Sequence, residues 1–118
     1  MPIDTANFAP GSATELLEGL LEVAIVKAKD QWSGIKQEMT FQLEFIAQKT
    51  AKVIAQLATG EVSDKNADLT LHLLEINLNS ALTEFEFLLY NAAQKILSAV
   101  FGLIKVAVKN VTGVTLLF

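Results

Sequence analysis

Polar residues recur at every seventh position through the second half of the chain. Residues seven apart lie on the same face of an α-helix, because seven residues make almost two full turns. A register that continues without interruption predicts one long helix over residues 64–112 rather than several short elements. The recurring residues are Ser63, Thr70, Asn77, Glu84, Asn91, Ser98, Lys105 and Thr112.

The end of this predicted helix is apolar enough to raise the question of a membrane span. Residues 96–118 carry only two charges, Lys105 and Lys109. Two lysines at the centre of a bilayer cost about 5–7 kcal/mol, and the neighbouring Leu, Ile, Val and Phe side chains return a similar amount. The seven-residue register distinguishes a membrane span from a helix packed in protein, because both lysines lie with Ser98 and Gly102 on a strip that would face water. The pattern therefore favours a helix packed in protein.

The first half of the chain predicts a second long helix, over residues 12–59. Ser12 followed by Glu15 fits a capping box, in which each side chain satisfies a free backbone N–H. Apolar residues then follow in steps of three and four as far as Leu57. Gly60 is the residue type that ends helices in the left-handed conformation. The alternative to a continuous first helix is a bend near Gly34 or a fold-back within residues 30–36, where Ser33 and Gly34 weaken the helix interior.

The remaining segments connect or flank these two helices. Residues 60–63 form the predicted turn between them, and Gly113 is expected to end the second helix. Residues 1–11 contain both prolines and no periodic pattern, which predicts a flexible lead-in. Residues 113–118 are apolar, and we expect this tail to be buried, because an exposed apolar tail favours aggregation.

A competing interpretation is that some segments form strands. Three short stretches alternate between apolar and polar residues with period two, as half-buried strands do: residues 39–45, 75–79 and 84–87. Each alternation lasts only a few residues, whereas the seven-residue register extends over half the chain. We therefore predict an all-α fold, a long antiparallel helical hairpin in a single domain over residues 12–118.

Such a hairpin has more apolar surface than it can cover. Hydrophobic residues make up 52% of the chain, and the second helix carries two adjacent apolar lines. Burying the ten residues of one line is worth about 15–30 kcal/mol gross, more than the total stability of most domains. We therefore expect a homo-oligomer, with a dimer favoured, that forms a four-helix or larger helical bundle. The predicted interface residues are Leu69, Leu73, Ile76, Phe87, Tyr90, Leu97, Phe101, Ile104 and Val108.

This apolar surface has three alternative partners: further copies of the chain in a larger assembly, a different protein, or lipid. A nucleic-acid partner is not expected, because the net charge is −4 and all nine basic residues are lysines. The sequence contains no cysteine, which excludes thiolate chemistry.

No residue is assigned to a catalytic, cofactor or metal site. His72 has Asp68 and Glu75 on the same helical face, but a surface helix pair explains that spacing more simply than half a metal site does. The sequence contains neither a Gly-x-Ser-x-Gly elbow nor a phosphate-binding loop. We therefore do not expect an enzyme.

The sequence predicts a non-catalytic structural, assembly or protein–protein interaction module that self-associates through an apolar helix. A building block, an adaptor or a small chaperone-like module of a phage or secretion system would fit this description. The alternatives are a membrane-active protein and a helical protein that holds lipid or another apolar ligand between its helices. The N-terminal residues do not resemble a signal peptide, so a cytoplasmic location is expected, with leaderless export left open.

Overall fold

The computed structural model describes residues 4–85 and 88–118, and these residues contain helices and no strand. The prediction of an all-α fold is confirmed. Residues 39–45 and 75–79 lie inside helices, so the strand interpretation is wrong for them. The elements are a 3-10 turn at Thr5–Asn7, α1 at Ala13–Ala28, a 3-10 turn at Lys29–Gln31, α2 at Trp32–Thr59, α3 at Asp64–Thr83 and α4 at Tyr90–Thr112.

Local capping chemistry sets four of the helix ends. The Ser12 hydroxyl accepts a hydrogen bond from the Glu15 N–H, and the Glu15 carboxylate accepts one from the Gly11 N–H at 2.8 Å. The Ser63 hydroxyl caps α3 in the same manner. Gly60 and Gly113 follow α2 and α4 with φ values of 77° and 79°, which glycine adopts without strain. These predicted boundaries are confirmed.

The prediction of one helix over residues 12–59 is wrong. The chain breaks at Lys29–Gln31, and Gly34, the suggested bend, lies inside α2. Lys29 has φ 53° and ψ −126°, which reverses the chain so that α1 runs back along α2. The reversal allows the apolar side of α1 to enter the core, where Leu16 and Leu20 are buried. An extended helix would have left these side chains in water.

The prediction of one helix over residues 64–112 is also wrong, because α3 ends at Thr83 and α4 begins at Tyr90. The reversal brings α4 back along α3, where the Gln94 side-chain amide donates to the Asn79 side-chain oxygen Oδ1 at 3.1 Å. A straight helix would offer two apolar lines to a single neighbour, whereas the folded-back arrangement covers α4 from several sides. The seven-residue polar register persists through the break because each helix keeps its own polar face toward water.

The helices pack so that α2 and α4 lie between α1 and α3. α1 runs antiparallel to α4, with Gly19 of α1 close to Leu103 of α4. Its first turns also face the second half of α2, where Leu17 lies near Ala47. The largest fully buried side chains come from all four helices: Leu16, Leu20, Ile35, Met39, Leu43, Ile46, Leu71, Leu78, Leu82, Ile96, Phe101 and Ile104.

Part of the N-terminal segment contacts the helices. The Asn110 side-chain amide donates to the backbone carbonyls of Ala6 and Phe8 at 3.2 and 3.0 Å. The Phe8 ring occupies the space above Gly19, where an added Cβ would lie only 2.6 Å from a ring atom. The predicted lead-in therefore includes Phe8, which is half buried because a glycine on α1 leaves room for its ring.

We predict that Lys29→Gly stabilises the chain. A non-glycine residue at positive φ costs about 1–3 kcal/mol, and glycine loses part of that gain through its freer unfolded state. The free energy of unfolding, measured by urea titration, should rise by about 1 kcal/mol. Lys36→Gly, at an exposed position inside α2, is the matched control and should lower it by about 1 kcal/mol. If both variants lowered the free energy of unfolding equally, the positive-φ conformation of Lys29 would be contradicted.

We also predict that Thr50→Val stabilises the chain. Thr50 is fully buried in α2, and its hydroxyl has no hydrogen-bond partner among the described residues. An unsatisfied buried hydroxyl costs about 1–3 kcal/mol, and valine has the same shape without the polar atom. The expected gain in urea titration is about 1 kcal/mol.

Thr59→Val is the control for this substitution. Thr59 is exposed, and its hydroxyl donates to the Ala55 carbonyl at 3.2 Å. Its replacement should change the free energy of unfolding by no more than about 0.5 kcal/mol. A loss of stability in Thr50→Val would show that the Thr50 hydroxyl is hydrogen bonded in the folded protein.

Candidate interaction surface on helix α3

Helix α3 carries apolar residues on two opposite faces. One face is buried between α2 and α4 and contains Ala67, Leu71, Leu74, Leu78 and Leu82. The opposite face carries Leu69, Leu73 and Ile76, which are 55%, 51% and 48% exposed. Their spacing of four and three residues places them in one line along the helix. We call these three residues the α3 stripe.

The exposed residues that flank the α3 stripe carry few charges. Between residues 66 and 80, the other exposed side chains are Asn66, Thr70, Asn77 and Ser80. The acidic residues of this segment, Asp68 and Glu75, are half buried. The stripe is therefore an apolar line with a largely neutral border, and the exposed Lys65 lies one turn before Leu69.

Four of the nine predicted interface residues lie on the surface. They are Leu69, Leu73 and Ile76 on α3 and Tyr90 at the start of α4, which is 71% exposed. Leu97 is half buried, and Phe87 lies outside the described residues.

The predicted intermolecular contact is wrong for three residues that are buried in the core of their own chain: Phe101, Ile104 and Val108. The prediction assumed one straight helix. The chain reversal after Thr83 turns this part of the apolar line inward, toward the other helices.

The C-terminal tail closes the side of α3 that faces α4. The Phe118 ring stacks on His72 of α3, with centroids 5.2 Å apart, and meets the edge of Phe101 of α4 at 6.2 Å. Lys105 lies over the same ring at 4.6 Å and donates to the Phe118 carbonyl. The tail thus joins the two helices through one aromatic side chain.

Burial of the tail varies from residue to residue. Leu116 is buried, and Val114 and Phe118 are half buried, as the sequence predicts. Leu117 is 86% exposed, which is contrary to the prediction. Its backbone N–H donates to the Asp68 carboxylate, so an exposed leucine is held next to the residue that precedes Leu69.

The polar groups around His72 contact the C-terminal tail or one another. The His72 Nε2 atom lies 3.9 Å from a Glu75 oxygen, and Asp68 is engaged by the tail. No cluster of three His, Asp or Glu side chains suited to a metal ion occurs in residues 4–85 and 88–118.

Sequence reasoning missed a second exposed apolar pair, Phe41 and Phe45 on α2. Phe41 is largely exposed, and Lys49 lies 5.6 Å from the centroid of the Phe45 ring. The two phenylalanines are four residues apart and lie opposite the buried line of Met39, Leu43 and Ile46. The four-residue spacing predicts that both rings lie on one side of a helix. The same residues also belong to the period-two alternation of residues 39–45, which is typical of a strand.

Sequence reasoning also missed a groove of about 360 Å³ between α1 and α4. We call it the α1/α4 groove. Val23 and Val26 line it from α1, and Leu103 and Val106 line it from α4. Gly102 forms part of its floor, with no atom within 4 Å of the position where a Cβ would lie. The groove depends on the reversal at Lys29–Gln31, which lies at the start of the fold-back that the sequence suggests for residues 30–36.

In the part of the chain that the structure describes, α4 is the one helix with the length and apolar composition of a membrane span. A core helix in a water-soluble fold passes the same test. The predicted water-facing strip is exposed at Ser98, Gly102 and Lys109, while Lys105 and Thr112 are half buried.

The chain was compared with protein-family models, with curated proteins and with solved structures, and none of the three comparisons gives a match.

Proposed function

We propose that this protein is a non-catalytic assembly module that self-associates through the α3 stripe. The observation that supports the proposal is the line of Leu69, Leu73 and Ile76 on the outer face of a helix whose inner face is already buried. Large apolar side chains aligned in this way are typical of helix-mediated protein contacts.

A second copy of the chain suits this surface. When two α3 helices pair antiparallel about a two-fold axis at Leu73, each Leu69 meets an Ile76 and the two Leu73 side chains meet each other. Few charges border the contact, although each copy has a net charge of −4, and in this pairing Lys65 of one copy lies near Ser80 of the other rather than near a second lysine. The paired helices would form the centre of a larger helical bundle.

The expected affinity follows from the area that remains to be covered. Full burial of a large apolar side chain is worth about 1.5–3 kcal/mol, and each stripe residue is already about half buried. Covering the remainder in two copies therefore yields about 5–9 kcal/mol, against an association cost of about 4–15 kcal/mol. At the favourable end of both ranges the net gain is about 5 kcal/mol, so we expect a weak, reversible dimer with a dissociation constant of about 0.2 mM or weaker.

Sedimentation equilibrium over about 10 µM to 1 mM tests the proposal, because this range extends from well below to above the tightest dissociation constant expected. The weight-average mass of the wild-type chain should rise with concentration. Leu73→Glu should keep the mass of a monomer throughout, since it places a charge at the centre of the contact. Circular dichroism should show unchanged helix content, because Leu73 lies outside the core.

Phe41→Glu is the matched control, an exposed apolar residue on α2 changed to the same acid. It should associate as the wild type does. A wild-type chain that stays monomeric up to about 1 mM, or a Phe41→Glu variant that loses association as Leu73→Glu does, would refute self-association through α3.

A membrane-active protein is the second candidate, and the composition of α4 favours it. Insertion of α4 would first have to withdraw Ile96, Phe101 and Ile104 from the core, which would expose their partners on the other helices. Flotation with anionic and with neutral vesicles separates the two candidates. Vesicle binding by both the wild type and Leu73→Glu would favour the membrane role.

A further inference from the structure

One end of the α1/α4 groove is cationic. Lys27, Ser98 and Ala99 border the groove and also line a shallow continuation, which adds Gln94 and Lys95. Neither lysine has a hydrogen-bond or ion-pair partner among the described residues. In a chain with a net charge of −4, two such lysines beside one opening create a local site for an anion.

The rest of the groove is apolar and long. Its lining extends along α4 from Ser98 to Val106, which is about 12 Å at 1.5 Å per residue, and the shallow continuation adds Gln94 and Lys95 at one end. Its volume of about 360 Å³ falls within the range of small-molecule sites. Val26, at the opening, is more than half exposed and would be covered by an occupant. Glu22 also borders the groove, so its polar groups are not all cationic.

We propose that the α1/α4 groove binds a free single-chain amphiphile with an anionic head, of the fatty-acid class. The acyl chain lies over Gly102 between the valines of α1 and Val106 of α4. The carboxylate lies at the Lys27 and Lys95 end. Charge complementarity selects a carboxylate over a neutral or cationic head, and the apolar walls select an alkyl chain over a small polar anion.

This site is separate from the α3 stripe. The groove lies between α1 and α4, whereas α3 packs against α2 and α4 on the other side of the molecule. Ligand binding and self-association can therefore be tested independently, and a Leu73→Glu chain should bind the ligand as the wild type does.

Gly102→Leu tests the position of the acyl chain. A side chain at residue 102 meets no atom within 4 Å of its Cβ, so the leucine would fill the groove without displacing the core. Isothermal titration with decanoate should show saturable binding to the wild type and at least about tenfold weaker binding to Gly102→Leu. Gly102→Ala, the control, gains similar helix propensity but adds only a methyl group, and it should bind within about threefold of the wild type.

The midpoints of thermal unfolding of both Gly102 variants should equal or exceed that of the wild type, because alanine and leucine favour a helix interior over glycine. A Gly102→Leu variant that is folded and binds decanoate as tightly as the wild type would overturn the proposal.

The cationic end is tested with two ligands that share one alkyl chain. The wild type should bind decanoate more tightly than decanol, and Lys27→Gln with Lys95→Gln should remove this preference. The control, Lys36→Gln with Lys65→Gln, changes the net charge equally at positions away from the groove and should retain the preference. A preference that survives the loss of Lys27 and Lys95, or a wild type that binds anionic vesicles but no free decanoate, would refute the proposed site.

Discussion

The width of the apolar face of α4 is the constraint on which the rest of the structure depends. Buried residues occur around more than a third of this helix, from Leu103 on one side to Phe101 on the other. A single neighbouring helix covers a stripe of about 100°, so one partner is not enough. α1, α2 and α3 all contact α4, and the tail adds Phe118 over Phe101. The chain can supply these neighbours only if it reverses at Lys29–Gln31 and again after Thr83.

The sequence predicted what local chemistry determines. The Ser12 cap and the glycine ends at Gly60 and Gly113 depend on residues a few positions apart, and all three are found. The break after Thr83 was missed, and the fold-back of the first helix was suggested at residues 30–36 rather than Lys29–Gln31, because neither position is determined by local chemistry alone. Lys29 adopts a strained conformation that its own sequence neighbourhood does not favour, and the burial of α1 against α2 and α4 compensates for it.

The candidate surface was predicted in part for the same reason. A seven-residue polar register predicts which side of a helix faces water, but it does not predict where the helix ends. Residues on α3 were therefore placed correctly, since Leu69, Leu73 and Ile76 stay on the outer face. Phe101 and Ile104 were placed on the same line by counting through the break, and the reversal directs them into the core.

The position of the polar residues on α4 connects its composition with its surroundings. A helix that spans a bilayer gains nothing from a line of polar residues unless that line faces protein or water. On α4 this line borders α1, and at Ser98 and Gly102 the side chains are too small to fill the space between the helices. The small residues that lower the apolar content of α4 therefore also leave the groove open. The same small residues therefore account both for the polar strip of α4 and for the open space between α4 and α1.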